Sequence, residues 1–231
     1  MKKAIMSLAV AFAGLFATAN AQVLFTQDFQ YGPRTGGAPD GTGQQSLAPY
    51  GYSVSGGANT ALENDNGNFY GKVWNAYWNQ DGESSANVQF GRDFWGGGSA
   101  LSSYGLLAGN TVNYDLRTKI ADVVGAGGTL GLTIRFFNNN FSQWYEGDSV
   151  FLSIAGESTS DWTYHSLSAV IPVGAEIIQF GMFNKVNNWS PGSAYIDNVV
   201  ISTAAVPEPS VASLLGFGVL GLVATRLRRR S

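Results

Sequence analysis

The stretch TVNYDLRTKI, residues 111–120, alternates. Val112, Tyr114, Leu116 and Ile120 are apolar, and Asn113, Asp115, Arg117 and Lys119 between them are polar or charged. A period of two puts the first set on one face of an extended strand and the second on the other. A helix would scatter the same apolar residues around its circumference, so the spacing predicts a strand with one buried and one wet face. The period recurs at Leu130, Leu132, Ile134 and Phe136, at Val150, Leu152 and Ile154, and at Ile178, Phe180 and Met182. Segments such as NDNGN, FWGGGS, GAGG and FNNNFS separate these runs and are built from turn-forming residues. No long run between the two ends carries a helical stripe. The chain holds 30 Gly in 231 residues and only 13% charged residues, against a usual share of about 25%, which fits a turn-rich β protein. Its length suits one core. Strands in VLFTQDFQYG and SAYIDNVVIS open and close the pattern, as when terminal strands pair, and the predicted class is an all-β sandwich over residues 22–203.

Charge narrows the partners. Residues 22–206 contain 7 Lys plus Arg against 15 Asp plus Glu, a net of −8. Nucleic-acid binding rests on phosphate neutralisation by basic side chains, so that class is excluded. The absence of Cys removes disulfides, thiol nucleophiles and thiolate metal sites, and a single His removes an all-imidazole metal site. An exported protein without Cys suits a bacterial envelope.

Both ends read as addresses. Lys2 and Lys3 precede an apolar stretch over residues 4–17, and Ala19 and Ala21 stand at A-x-A spacing. This predicts a signal peptide over residues 1–21, cut after Ala21. Residues 211–225 carry no charge and end at RLRRR. As a helix they make roughly 22 Å at about 1.5 Å per residue, short of the ~30 Å hydrocarbon core. A single transmembrane helix therefore needs the residues before the run, or snorkelling arginines. The positive-inside rule keeps those arginines cytoplasmic and puts the sandwich, as an ectodomain, on the far side.

Residues 204–231, with Pro207, Glu208 and Pro209, then the apolar run, then Arg226, Arg228, Arg229 and Arg230, resemble the PEP-CTERM sorting signal of Gram-negative bacteria. The resemblance implies an exosortase-type enzyme as partner, a transient inner-membrane anchor, and delivery to the outer surface or extracellular matrix of exopolysaccharide-producing cells. Two prolines fix φ around Glu208 and forbid helix there, which keeps the segment extended for processing.

A second resemblance lies in the sandwich. Trp162, the turn at Pro172, Gly174 and Ala175, the closing YIDNV of residues 195–199, and the early DFQYG are similar to strands of galactose-binding-like and carbohydrate-binding-module jelly rolls. That likeness implies a jelly-roll β-sandwich and a structural calcium ion tying the opening strand to the closing one, with Asp28 and Asp197 as metal ligands. Calcium takes six to eight oxygens, and this chain has Gln30 where the family often has Glu. The alternative is that Asp197 bonds the backbone and no ion binds.

Sugar sites on sandwiches use exposed aromatic faces beside amides and carboxylates. KVWNAYWNQD supplies Trp74 and Trp78, with Tyr77, Asn75, Asn79 and Gln80, and FNNNFSQWYEGD supplies Trp144 and Tyr145, with Asn139 and Glu146. Trp74, Trp78, Trp144 and Tyr145 are the candidate ligand-binding residues, though such rings also serve as half-buried packing. Catalytic signatures are weak. No G-x-S-x-G elbow occurs, and His165 alternates with Leu167, Ala169 and Ile171, so it is predicted to face the core. Glu146 and Asp148 are the carboxylates available to a glycosidase. GRDFWGGGS lacks the Walker lysine and does not read as a phosphate loop. The sequence thus leads to an exported, non-catalytic, structural or carbohydrate-interacting protein, with a polysaccharide hydrolase using loop carboxylates as the alternative.

Overall fold

The computed structural model describes residues 21–30, 47–55, 58–75, 83–91, 98–122, 129–185 and 192–204. Their strands are β1 (Gln22–Gln27), β2 (Ser53–Ser55), β3 (Ala58–Asp65), β4 (Asn68–Asn75), β5 (Glu83–Gly91) and β6 (Thr111–Asp122). They continue with β7 (Thr129–Phe137), β8 (Val150–Ser153), β9 (Thr163–Val170), β10 (Ile177–Lys185) and β11 (Ser193–Ala204). The described helical pieces are short 3-10 turns. The all-β expectation holds.

Two sheets form. One runs β3-β4-β11-β6-β9 with β1 also on β11, and the other runs β2-β5-β10-β7-β8. From β4 to β7, and again from β9 to β11, each strand lies in the sheet opposite its predecessor, the crossing pattern of a jelly roll. The closing strand is shared: Ser193 to Ile196 pair with β4, and Val199 to Thr203 pair with β1. At the break between the two registers Asn198 takes φ 51°.

The inner faces are the alternating sets seen in the sequence. Val112, Tyr114, Leu116 and Ile120 on β6 meet Leu130, Leu132, Ile134 and Phe136 on β7 and Ile178, Phe180 and Met182 on β10, all buried in one cluster. Burying such side chains stabilises by roughly 1.5–3 kcal/mol each. Phe29, Leu47, Tyr50 and Tyr52 close one end of the core. Gly71 on β4 permits this closure, because a Cβ there would lie 2.8 Å from Leu47 Cδ1 and 2.9 Å from Ile196 Cγ1.

NDNGN is a turn, as expected. Asn66 and Gly67 take φ 53° and 90° between β3 and β4, the paired positive values of a tight hairpin. Gly67 N–H donates to Asn64 Oδ1 at 2.8 Å. The alternation at residues 150–154 is only half buried: Ile154 is in the core, but Leu152 is 38% exposed. Among the described residues β8 is the edge strand of its sheet and pairs only with β7.

Among the described residues, no helix is long and apolar enough to cross a membrane. The signal-peptide residue Ala19 and the sorting residues Pro207, Glu208, Pro209, Arg226, Arg228, Arg229 and Arg230 lie outside the described residues, and so does Trp78.

Candidate functional site

The residues that alternate with the core set define the outer face of the five-stranded sheet. Strand register orders them in rows. Gln89 stands opposite Gln179, and Gln179 opposite Arg135. In the next row Asn87 is opposite Gly181, Gly181 opposite Thr133, and Thr133 opposite Phe151. Then Ser85 is opposite Phe183, and Phe183 opposite Gly131.

Two glycines shape this floor. Gly181 leaves a trough across which Arg135 reaches, its two Nη2 hydrogens shared among Ser85 Oγ at 2.9 Å, Gln179 Oε1 at 3.0 Å and Asn87 Oδ1 at 3.2 Å. Gln179 Nε2 passes the chain of bonds on to Gln89 Oε1 at 2.9 Å. At Gly131 a Cβ would collide with the Phe151 ring, so glycine lets that ring lie against the sheet. The Arg135 guanidinium stands 5.7 Å from the Phe137 ring centre and 5.9 Å from that of Phe183. Phe151 meets Phe183 edge to face at 6.0 Å.

Above the floor is a cleft of about 340 Å³, walled by Phe137, Trp144, Val150, Phe151 and Phe183, with Thr133, Arg135 and Glu146 as polar members. That volume is in the range of small-ligand sites, which combine apolar walls with a few placed polar groups. The Thr133 hydroxyl on its floor is buried and has no hydrogen-bond partner among the described residues.

Trp144 stands at the rim and is 48% exposed. Its backbone bridges to Phe137 and its Nε1 donates to Ser149 Oγ at 3.0 Å. Ser149 Oγ donates in turn to the Tyr145 carbonyl at 2.8 Å, and Tyr145 N–H donates to the Phe136 carbonyl at 3.0 Å. The indole is thus held in one orientation with part of its surface open. Holding an aromatic ring in place before binding lowers the ordering cost of a complex.

Of the sequence candidates, the structure brings Trp144 and Glu146 into one cleft. Tyr145 is half-buried and packs on the core instead. Trp74 lies on β4, in the other sheet, with Lys72 Nζ 5.7 Å from its ring. Asp148 is exposed on the turn Glu146–Asp148. The residues missed in the sequence are Arg135, Phe137, Phe151 and Phe183. A signal existed for two of them: Arg135 stands between core residues of β7, and Phe137 follows the last of them in the same alternation.

The six-stranded sheet carries a different outer face. Lys119 Nζ lies 5.8 Å from the Tyr70 ring, 5.4 Å from Trp162 and 5.2 Å from Tyr195. Arg117 stacks 4.8 Å over Trp162 and pairs through Nε and Nη2 with Asp197 Oδ2. The Tyr70 and Tyr195 hydroxyls are pushed above the usual phenol value, chiefly by burial and then by Tyr195 for Tyr70 and by Glu63 for Tyr195.

Asp197 is fully buried, and with Arg117 on Oδ2 its Oδ1 accepts Asn198 N–H at 2.8 Å. Asp28 is exposed and its Oδ1 accepts Gln30 N–H at 3.2 Å. Among the described residues, no group of three or more His, Cys, Asp or Glu could hold a metal ion. Both Asp197 oxygens are thus engaged by the chain itself, and Asp28 Oδ1 by the Gln30 backbone.

His165 faces inward, its side chain only 7% exposed. Its Nε2 lies 2.8 Å from Thr118 Oγ1 and 3.2 Å from Glu157 Oε2. Hydroxyl and carboxylate meet the same nitrogen, so Glu157 does not orient the ring through Nδ1 as a hydrolase relay requires.

Fold and cleft together define an antiparallel β-sandwich with a ligand-sized groove on one outer face. No protein-family model and no curated protein match the chain. Among solved structures it is similar to the xylan-binding CBM22-1 domain of Paenibacillus barcinonensis Xyn10C, at 12% identity and TM-score 0.47, over 82% of this chain and 99% of that one. It is also similar to the C-terminal family 22 carbohydrate-binding module of Clostridium thermocellum Xyn10B, at 14% identity and TM-score 0.44, over 81% of this chain and 97% of that one. A third likeness is to the enzymatically active domain of bacteriophage CBA120 tailspike protein 4, at 14% identity and TM-score 0.43, over 65% of this chain but only 18% of that one.

Proposed function

We propose that this protein is a non-catalytic, carbohydrate-interacting component of a bacterial surface or extracellular matrix, and that the cleft beside Trp144 is its glycan site. The observation that carries the reading is the half-exposed Trp144, hydrogen-bonded into place over a floor of Phe137, Phe183 and Arg135. A sugar ring has an apolar C–H face and a polar edge. The indole and phenyl faces offer the first a dry wall, and the Thr133 hydroxyl, the Glu146 carboxylate and the Arg135 network offer hydrogen bonds to the second.

Hydrolysis is the weaker reading. A glycosidase flanks the scissile bond with two carboxylates, and of the two on this loop Glu146 lines the cleft while Asp148 stands outside its wall. Export rests on the motifs at the ends of the chain. A signal peptide, a Pro207, Glu208, Pro209 sorting signal read by an exosortase-type enzyme, and a passing inner-membrane anchor would deliver the sandwich to polysaccharide outside a Gram-negative cell.

The test is a polysaccharide array probed with the full chain in mild detergent, followed by assay of bound glycans for new reducing ends. Binding without cleavage is expected. Reducing ends that vanish in Glu146→Gln would instead establish the hydrolase, and no binding to any glycan would overturn the proposal. For export, Glu208→Ala should trap the chain in the inner membrane; unchanged delivery would remove the sorting signal from the account.

A further inference from the structure

The turn after β1 holds an arrangement that the cleft does not use. Phe29 takes φ 59° although it is a buried aromatic residue, a conformation that bulky side chains rarely adopt. Gln27 Oε1 fixes it by accepting Phe29 N–H at 2.8 Å. The fold thereby swings Gln30 back over the end of β4. There the Gln30 Nε2 lies 3.0 Å from the Asp28 carbonyl oxygen, 2.9 Å from the Phe69 carbonyl oxygen and 3.2 Å from Asn68 Oδ1.

An amide nitrogen has two hydrogens, yet three oxygens converge on this one. Two backbone carbonyls and one side-chain amide oxygen are hard, neutral donors of the kind calcium takes. The oxygens stand only about 0.5 Å farther out than the ~2.3–2.6 Å of calcium coordination. We infer that Gln30 Nε2 occupies a cation-shaped oxygen cradle, so that the chain ties its opening strand to β4 with its own amide instead of a metal ion.

The neighbouring charge is handled in the same way. Gln27 pairs with Val199, which brings the end of β1 to the break in β11 where Asp197 sits. A fully buried carboxylate needs a partner, and Arg117 supplies a guanidinium. An amide among these oxygens and a guanidinium on the carboxylate leave both features satisfied without an ion. The sandwich then keeps its shape in surroundings poor in divalent cations.

One exchange of nitrogen for oxygen tests this. Gln30→Glu places a carboxylate oxygen against three oxygens, which repel without an ion and coordinate one when it is present. Thermal unfolding of the full chain in mild detergent is compared in EDTA and in millimolar CaCl₂, with Tb³⁺ luminescence as a direct probe of occupancy. The wild-type midpoint is expected to be the same in both buffers and to give no Tb³⁺ signal. Gln30→Glu should melt several degrees lower in EDTA, recover in Ca²⁺ and bind Tb³⁺.

A wild-type midpoint that rises with Ca²⁺, with calorimetric binding to match, overturns the inference; so does a folded Gln30→Glu chain blind to both ions. Should that variant fail to fold, Gln30→Met decides: loss of the donor should lower the midpoint equally in both buffers. A Met variant as stable as the wild type would show that the amide ties nothing.

Discussion

The two outer faces of the sandwich are built from similar residues and end in different states. On the six-stranded sheet, Tyr70, Trp162 and Tyr195 surround Lys119, and Arg117 spans Trp162 and Asp197. Its rings are already covered by the chain's own cations. On the five-stranded sheet Arg135 stands 5.7 Å and 5.9 Å from the Phe137 and Phe183 ring centres and bonds to Ser85, Asn87 and Gln179, and Phe151, Phe183 and Trp144 border a cleft. Both faces set a cation beside aromatic rings, and what distinguishes the five-stranded one is the cleft bordered by the half-exposed Trp144.

Substitutions at the cations separate the two faces. The largest loss is expected for Arg117→Met, which leaves Asp197 buried and unpaired, at a cost of about 3–5 kcal/mol. The unfolding midpoint should drop by on the order of 10 °C, while glycan affinity measured well below it stays unchanged. A Ca²⁺-restored midpoint in this variant would show an ion entering where the guanidinium was.

Arg135→Met comes next. It strips donors from Asn87, which is 1% exposed, and from Gln179, so about 1–3 kcal/mol of stability goes with it. Here glycan affinity should fall as well, because the floor of the cleft is disturbed. A variant that melts lower but binds normally would detach the arginine network from recognition. Lys119→Met should do least. Partly exposed cation–π contacts are worth about 0.5–1 kcal/mol, a shift of roughly 1–4 °C in the midpoint, with no change in binding.

Much of the fold was legible because its cause is local. The alternation at residues 111–120, 130–136 and 178–182 is the same fact as the buried faces of β6, β7 and β10, and Asn66-Gly67 fixes its hairpin through two positive φ values. Leu152 misled because alternation reports a strand's two faces but not whether the strand sits at an edge.

The cleft was legible only along its loop. Trp144 and Glu146 are close in sequence and could be grouped by eye. Arg135 and Phe183, by contrast, look like ordinary outward residues until strand pairing sets Gln179 beside Arg135 and Gly131 beside Phe183. Trp74 and Trp144 looked alike for the same reason, since nothing in either segment says which sheet its strand or loop will join. The sequence already showed Gln30 where the family often has Glu. Its meaning needed the Asp28, Asn68 and Phe69 oxygens to be placed around it.

The most direct test of the account is calorimetric titration of the best-binding glycan against wild type, Trp144→Ala and Trp74→Ala. Truncating a central aromatic anchor costs about 2 kcal/mol or more of binding, so Trp144→Ala should weaken affinity by roughly 30-fold, while Trp74→Ala binds as the wild type does. Weakening by Trp74→Ala with Trp144→Ala unaffected would contradict the account and move the sugar to the opposite face.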